Sequence, residues 1–170
     1  MTPTAVFRPS LTLLGTEPWR AAVEYVSLKV TRSARSPKPG DGHPVIIFPG
    51  LGTDGMAVRP LRRHCQSLGY AAQDWGRGYN TGRGSKPGMD PALSRRLRTP
   101  PPVPTTSIYS RSDGIVAWQT CCHPQASGTV QDIEVRSSHI GMGWNPAVLR
   151  IITDRLGQPR ENWQPYGVTQ

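Results

Sequence analysis

Gly50, Gly52 and Gly55 break an apolar run, "PVIIF" at 44–48, and follow one another as G-x-G-x-x-G before a helical pattern begins. A strand that turns through glycines into a helix aims backbone N–H groups at a negative oxygen. That oxygen belongs either to a dinucleotide pyrophosphate or to the oxyanion of acyl transfer at a serine-hydrolase type of turn. Further along stand Asp113 and His139, an acid and an imidazole, the groups that carry proton transfer in most active sites. Asp113 follows the run "TTSIYS" at 105–110, and His139 follows "VQDIEVR" at 130–136.

For these residues to act together, the elements before them must be strands of one parallel arrangement, whose carboxyl-end loops share an edge. "PVIIF" is rich in branched residues, as a strand covered on both faces should be. Residues 56–68 return to helical spacing through Val58, Leu61, Cys65 and Leu68, with Gly69 as a stop. "YAAQDW" at 70–75 is a second strand, which completes a strand–helix–strand crossover unit. The runs at 105–110 and 130–136 are the third and fourth strands. Asn145 caps and Pro146 opens a closing helix whose apolar face is Val148, Leu149, Ile152 and Leu156, ended by Gly157.

At the N-terminal end, residues 1–17 form an irregular arm. A helix is expected from Pro18, with Trp19, Val23, Val26 and Val30 as its packing face. "SARSPKPGDG" at 33–42 is a linker. Residues 76–102 are dominated by turn chemistry, with at most one or two helical turns in "ALSRRLR" before the prolines at 100–102.

Composition narrows the partners. The net charge is +9, and with three lysines among 20 basic residues, 17 are arginine. Those arginines are spread over the whole chain. The densest group, Arg95, Arg96 and Arg98, has no interleaved aromatics on which bases could stack, so no specific nucleic-acid partner is expected. Cys65, Cys121 and Cys122 cannot all pair, and "CCH" at 121–123 lacks the gap of a zinc knuckle. Neither a disulfide framework nor a metal site is expected. No apolar stretch approaches a membrane span or a signal-peptide core, which makes a cytoplasmic protein the expectation.

The glycine turn fits a dinucleotide only loosely. Asp74, at the end of the second strand, stands where a ribose-binding acid would be. Against that, Pro49 stiffens the approach to the first glycine, and Asp54 puts a carboxylate where pyrophosphate would lie. No cofactor is expected, and a nicotinamide cofactor is the weakest alternative. An acid after the third strand and a histidine after the fourth follow the order of the α/β-hydrolase acid and base.

The chain resembles the α/β-hydrolase family, in particular its bacterial lipase- and esterase-like members. "HPVIIFPGLGTDGMAVRPLRRHCQSLGYAAQDWGRGYNTG" is similar to their oxyanion strand, turn, first helix and next strand. "PPVPTTSIYSRSDGIVAW" is similar to their acid strand, and "IEVRSSHIGMGWNPAVLRIITDRL" to their histidine loop and last helix. The resemblance covers most of residues 43–165. It implies a small-molecule ester as substrate, with Asp113 orienting His139 and His139 acting as general base and acid. It also implies that the backbone N–H of Leu51 is an oxyanion donor, although Pro49-Gly50 replaces the His-Gly often found there.

The family's nucleophile stands on a G-x-S-x-G elbow between the second strand and the acid strand, and no such motif occurs here. The 27 residues between Trp75 and Val103 cannot hold the strand and helix that an elbow requires. Ser85, in "GRGSKPG", is the remote candidate within that gap and has no strand before it. Cys65, in "CQSLG", lies inside the first helix of the crossover unit. The expected architecture is therefore a truncated α/β-hydrolase-like domain at 43–170, preceded by an arm, helix and linker at 1–42. Its remnant sheet should be mostly parallel, of about four strands with flanking helices, the oxyanion strand pairing directly with the acid strand. Two functional outcomes follow: an impaired esterase-lineage protein, or a non-catalytic binding or regulatory remnant.

Overall fold

The computed structural model describes residues 6–31, 40–82, 99, 102–123 and 129–167. Ser85, the short helix expected in "ALSRRLR" and the arginine cluster at 95–98 lie outside the described residues.

The described residues form helices and short parallel strands. β1 (Pro44–Ile47) and β2 (Ala71–Asp74) pair in parallel, with Pro44 opposite Ala71 and Ile47 opposite Asp74, and α2 (Arg59–Ser67) makes the crossover. α2 starts later than its apolar spacing suggests. The Asp54 side chain accepts the Met56 N–H (2.9 Å) and holds 54–57 as a turn, so the helix begins beside Pro60. Gly69, at φ +95°, reverses the chain into β2. β3 (Thr105–Tyr109) and β4 (Val130–Glu134) form a second parallel pair, Thr105 opposite Val130 and Tyr109 opposite Glu134. α3 (Pro146–Leu156) follows, capped as its sequence implies by Asn145, whose side chain accepts the Ala147 N–H at 2.8 Å.

The four strands do not form one sheet. Each pair is a separate two-stranded sheet, and β1 is not hydrogen-bonded to β3, contrary to the direct pairing expected of a four-stranded remnant. α3 joins the two sheets instead. Its Ile152 and Leu156 pack against the first core, built of Ile47, Cys65, Leu68, Tyr70 and Ala72. Its Val148, Ile151 and Ile152 pack with Val135, Ile108 and Ile133 in the second. Fully burying an aliphatic side chain contributes about 1.5–3 kcal/mol, so a helix shared by both cores can hold the sheets without a continuous ladder between them. The first sheet is also covered on one side only: Ile47 is buried, whereas Ile46 and Phe48 are exposed, so the apolar run did not signal burial on both faces.

α1 (Leu11–Thr31) departs furthest from expectation. It begins seven residues before Pro18 and runs through it. Pro18 withholds the N–H that would bond the Leu14 carbonyl, and the adjacent Leu13 carbonyl is taken up by Thr16 Oγ1 (3.2 Å) and Arg20 Nη2 (3.0 Å). The face it buries is also the opposite one. Trp19 is 74% and Val26 60% exposed, while Glu17 and Ala21 are buried. The loops after β3 and β4 present backbone N–H groups that need acceptors, and the glutamates of α1 supply them. Glu24 Oε1 accepts from Ser138 N (2.6 Å), and its Oε2 accepts from Ser137 Oγ (2.7 Å) and Asn145 Nδ2 (3.1 Å). On the same side of the helix, the Ala21 carbonyl accepts the Trp144 indole N–H at 3.0 Å. An orphaned buried donor costs about 1–3 kcal/mol each, so the donors gathered on this face rival in free energy the burial of the Trp and Val stripe.

Candidate active site

Two loops at the carboxyl ends of the second sheet carry the acid and the histidine. They are sewn together by serines. Ser110 Oγ donates to the Ser137 carbonyl (2.7 Å) and accepts the Ser137 N–H (3.2 Å), while Ser112 Oγ donates to the same carbonyl (3.0 Å). The Val135 N–H reaches the Tyr109 carbonyl (2.8 Å), which extends the β3–β4 pairing up to the loops.

Asp113 is 8% exposed and fully engaged. Its Oδ1 accepts the N–H groups of Ile115 (2.8 Å) and Val116 (2.7 Å), so the turn that follows clamps the carboxylate in place. Oδ2 is thereby aimed at His139, whose Nδ1 lies 2.8 Å away. The sequence expectation that Asp113 and His139 meet is met by this geometry. With Nδ1–H donated to the carboxylate, Nε2 carries the lone pair. The His139 side chain is 41% exposed, and among the described residues Nε2 has no hydrogen-bond partner. The pair is thus a carboxylate-oriented imidazole with one basic nitrogen open.

The glycine turn is held from the far side by Asn80. Gly52 N–H donates to the Asn80 carbonyl (2.9 Å), Asn80 N–H to the Thr53 carbonyl (2.7 Å), and Asn80 Nδ2 to the Pro49 carbonyl (2.9 Å). Gly52 adopts φ +75°, a left-handed conformation that explains the glycine. Leu51 is 73% exposed, and its N–H has no partner among the described residues. The turn and the histidine loop adjoin: a Cβ on Gly143 would stand 3.9 Å from the Ala57 carbonyl.

Other candidate residues are occupied elsewhere. Asp74 binds Arg62 and accepts the Gly76 N–H (2.9 Å), and a Cβ on Gly55 would lie 2.5 Å from its Oδ2. The acid proposed for a ribose is therefore an ion-pair partner packed against the glycine turn. Cys65 is 1% exposed within the first core, and burial pushes its thiol up, which makes it a poor nucleophile. His123 forms a second imidazole–carboxylate pair, Nδ1 to Asp132 Oδ1 at 2.6 Å, but on the flank of β4. Its neighbour Cys122 is also raised, first by burial and then by the Asp132 charge. Among the described residues no group of three His, Cys, Asp or Glu side chains is placed to hold a metal ion, and no helix is long and apolar enough to cross a membrane.

Sequence reasoning missed the polar face of α1. Glu17, Arg20, Ala21 and Glu24 recur at the three- and four-residue spacing of one helix face, and that periodicity was the available signal. No family model, curated protein or solved structure matches the chain.

Proposed function

We propose that residues 43–165 are of α/β-hydrolase, carboxyl-ester hydrolase lineage, and that Asp113 and His139 are the acid and base of its triad without the serine. The observation that carries this is the 2.8 Å bond from His139 Nδ1 to a buried carboxylate, with Nε2 left open. A base so oriented would take a proton from a nucleophile or a water. The serines beside it are already engaged: Ser137 Oγ with Glu24, Ser112 Oγ with the Ser137 carbonyl, and Ser138 Oγ with the Gly141 N–H. None is bonded to His139, and the chain holds no G-x-S-x-G.

A covalent acyl-enzyme route therefore has no activated hydroxyl. What remains is a carbonyl polarised by the Leu51 N–H and a water activated by His139, which together give at most a small rate. Hydrolysis of p-nitrophenyl acetate should run near the buffer rate, with Asp113→Asn and His139→Ala changing it less than threefold. In an intact triad the loss of one member costs about 10⁴-fold or more. A fall of that order in either variant would show that a complete triad exists.

A further inference from the structure

Glu17 is 2% exposed, and a carboxylate so deep needs several donors to stay charged. It has three. Oε1 accepts Arg20 Nη2 (2.6 Å) and the Gly114 N–H (2.8 Å), and Oε2 accepts the Ile140 N–H (3.2 Å). The two backbone donors belong to the residues directly after Asp113 and His139. One carboxylate thus spans both loops of the acid–base pair. Arg20 completes the clamp, because its Nη1 donates to the Ser112 carbonyl at 2.6 Å, on the other side of Asp113. The approach is close enough that a Cβ on Gly114 would lie 2.6 Å from the Leu13 carbonyl carbon and oxygen, which explains a glycine beside the acid.

We propose that Glu17, assisted by Arg20, is a positioning residue that sets the separation of Asp113 and His139. The proposal rests on the acid–base reading of that pair. α1 in this account is part of the site, although the sequence set its residues in the arm, helix and linker at 1–42, ahead of the domain. Charge-assisted bonds to two loop backbones hold geometry more firmly than packing alone, and a displacement near 1 Å at such a pair costs about 100-fold in rate where chemistry depends on it.

The test uses the full-length chain and the His139 Nδ1–H proton, which resonates downfield and exchanges slowly when bonded to a carboxylate. Wild type should show this signal, and Asp113→Asn should abolish it. Glu17→Gln turns an amide N–H toward one of the two loop donors. It should remove the signal or speed its exchange by about tenfold, the consequence of losing one charge-assisted bond. Glu17→Asp keeps the charge but reaches only one loop, and should give the same result if the glutamine variant fails to fold. Ile151→Val, a change in the second core at a residue that bonds neither loop, serves as the stability control and should leave the signal unchanged. Wild-type exchange in a folded Glu17 variant would overturn the proposal, as would equal loss in Ile151→Val. A wild-type signal that survives Asp113→Asn would instead overturn the pairing on which it rests.

Discussion

Glu24→Ala and Val26→Ala on α1 should have opposite consequences from those that apolar periodicity suggests. Val26 belongs to the Trp and Val stripe but is exposed, so truncating it should change stability by no more than about 0.5 kcal/mol. Glu24 accepts three hydrogen bonds, from Ser138 N, Ser137 Oγ and Asn145 Nδ2. Removing the carboxylate orphans two of these donors, because the Ser137 hydroxyl keeps the Ser138 carbonyl as an acceptor at 3.0 Å. Glu24 is only half-buried, so water recovers part of the loss, and the low end of the orphan penalty applies, about 1 kcal/mol per donor. The sum is about 2 kcal/mol. For a chain of this size about 1 kcal/mol moves the thermal midpoint by roughly 2–4 °C, so Glu24→Ala should melt roughly 4–8 °C below wild type. Far-UV circular dichroism of both variants, with urea titrations to confirm that the m-value is unchanged, measures the contrast. A Glu24→Ala protein within 2 °C of wild type, beside a strongly destabilised Val26→Ala, would refute the docking of α1 through its polar face.

Gly141→Ala should reproduce the Glu24 effect, because its Cβ would stand 2.1 Å from Glu24 Oε2 and 2.6 Å from Ser138 Oγ. The double variant Gly141→Ala with Glu24→Ala should then be clearly less destabilised than the sum of the two, and simple additivity would exclude the shared contact. Cys65 supplies a pH dependence. Burial raises its folded pKa above the ordinary 9.0, so its contribution is present below about pH 9 and is lost as pH climbs through the folded value. Urea midpoints should fall less steeply above pH 9 in Cys65→Ala than in wild type. Parallel profiles would show that the thiol does not titrate with unfolding.

The strands, α2 and α3 were legible because their signals are local. "PVIIF" and "YAAQDW" flank a helical spacing closed by Gly69, and Asn145-Pro146 announces its helix by cap chemistry. The meeting of Asp113 and His139 was legible too, since each follows a strand directly and β3 and β4 are paired. The separation of the sheets was not. Which four- or five-residue strands pair is decided by what covers them, here α3, and no local pattern encodes that. α1 misled for a related reason: periodicity ranks faces by apolarity, and it takes no account of the N–H groups of Gly114, Ser138 and Ile140 that Glu17 and Glu24 must satisfy. Ser85 lies outside the described residues, so its place is a matter for chemistry.

Intact-mass spectrometry after incubation with a fluorophosphonate tests the central claim most directly, namely that a carboxylate-oriented base stands here without a nucleophile. The reagent phosphonylates a hydroxyl only where a neighbouring base draws off its proton. Wild-type protein should keep its mass under conditions that label a serine esterase to completion. One adduct per chain at Ser85, absent from His139→Ala, would contradict the account and make the chain a working hydrolase.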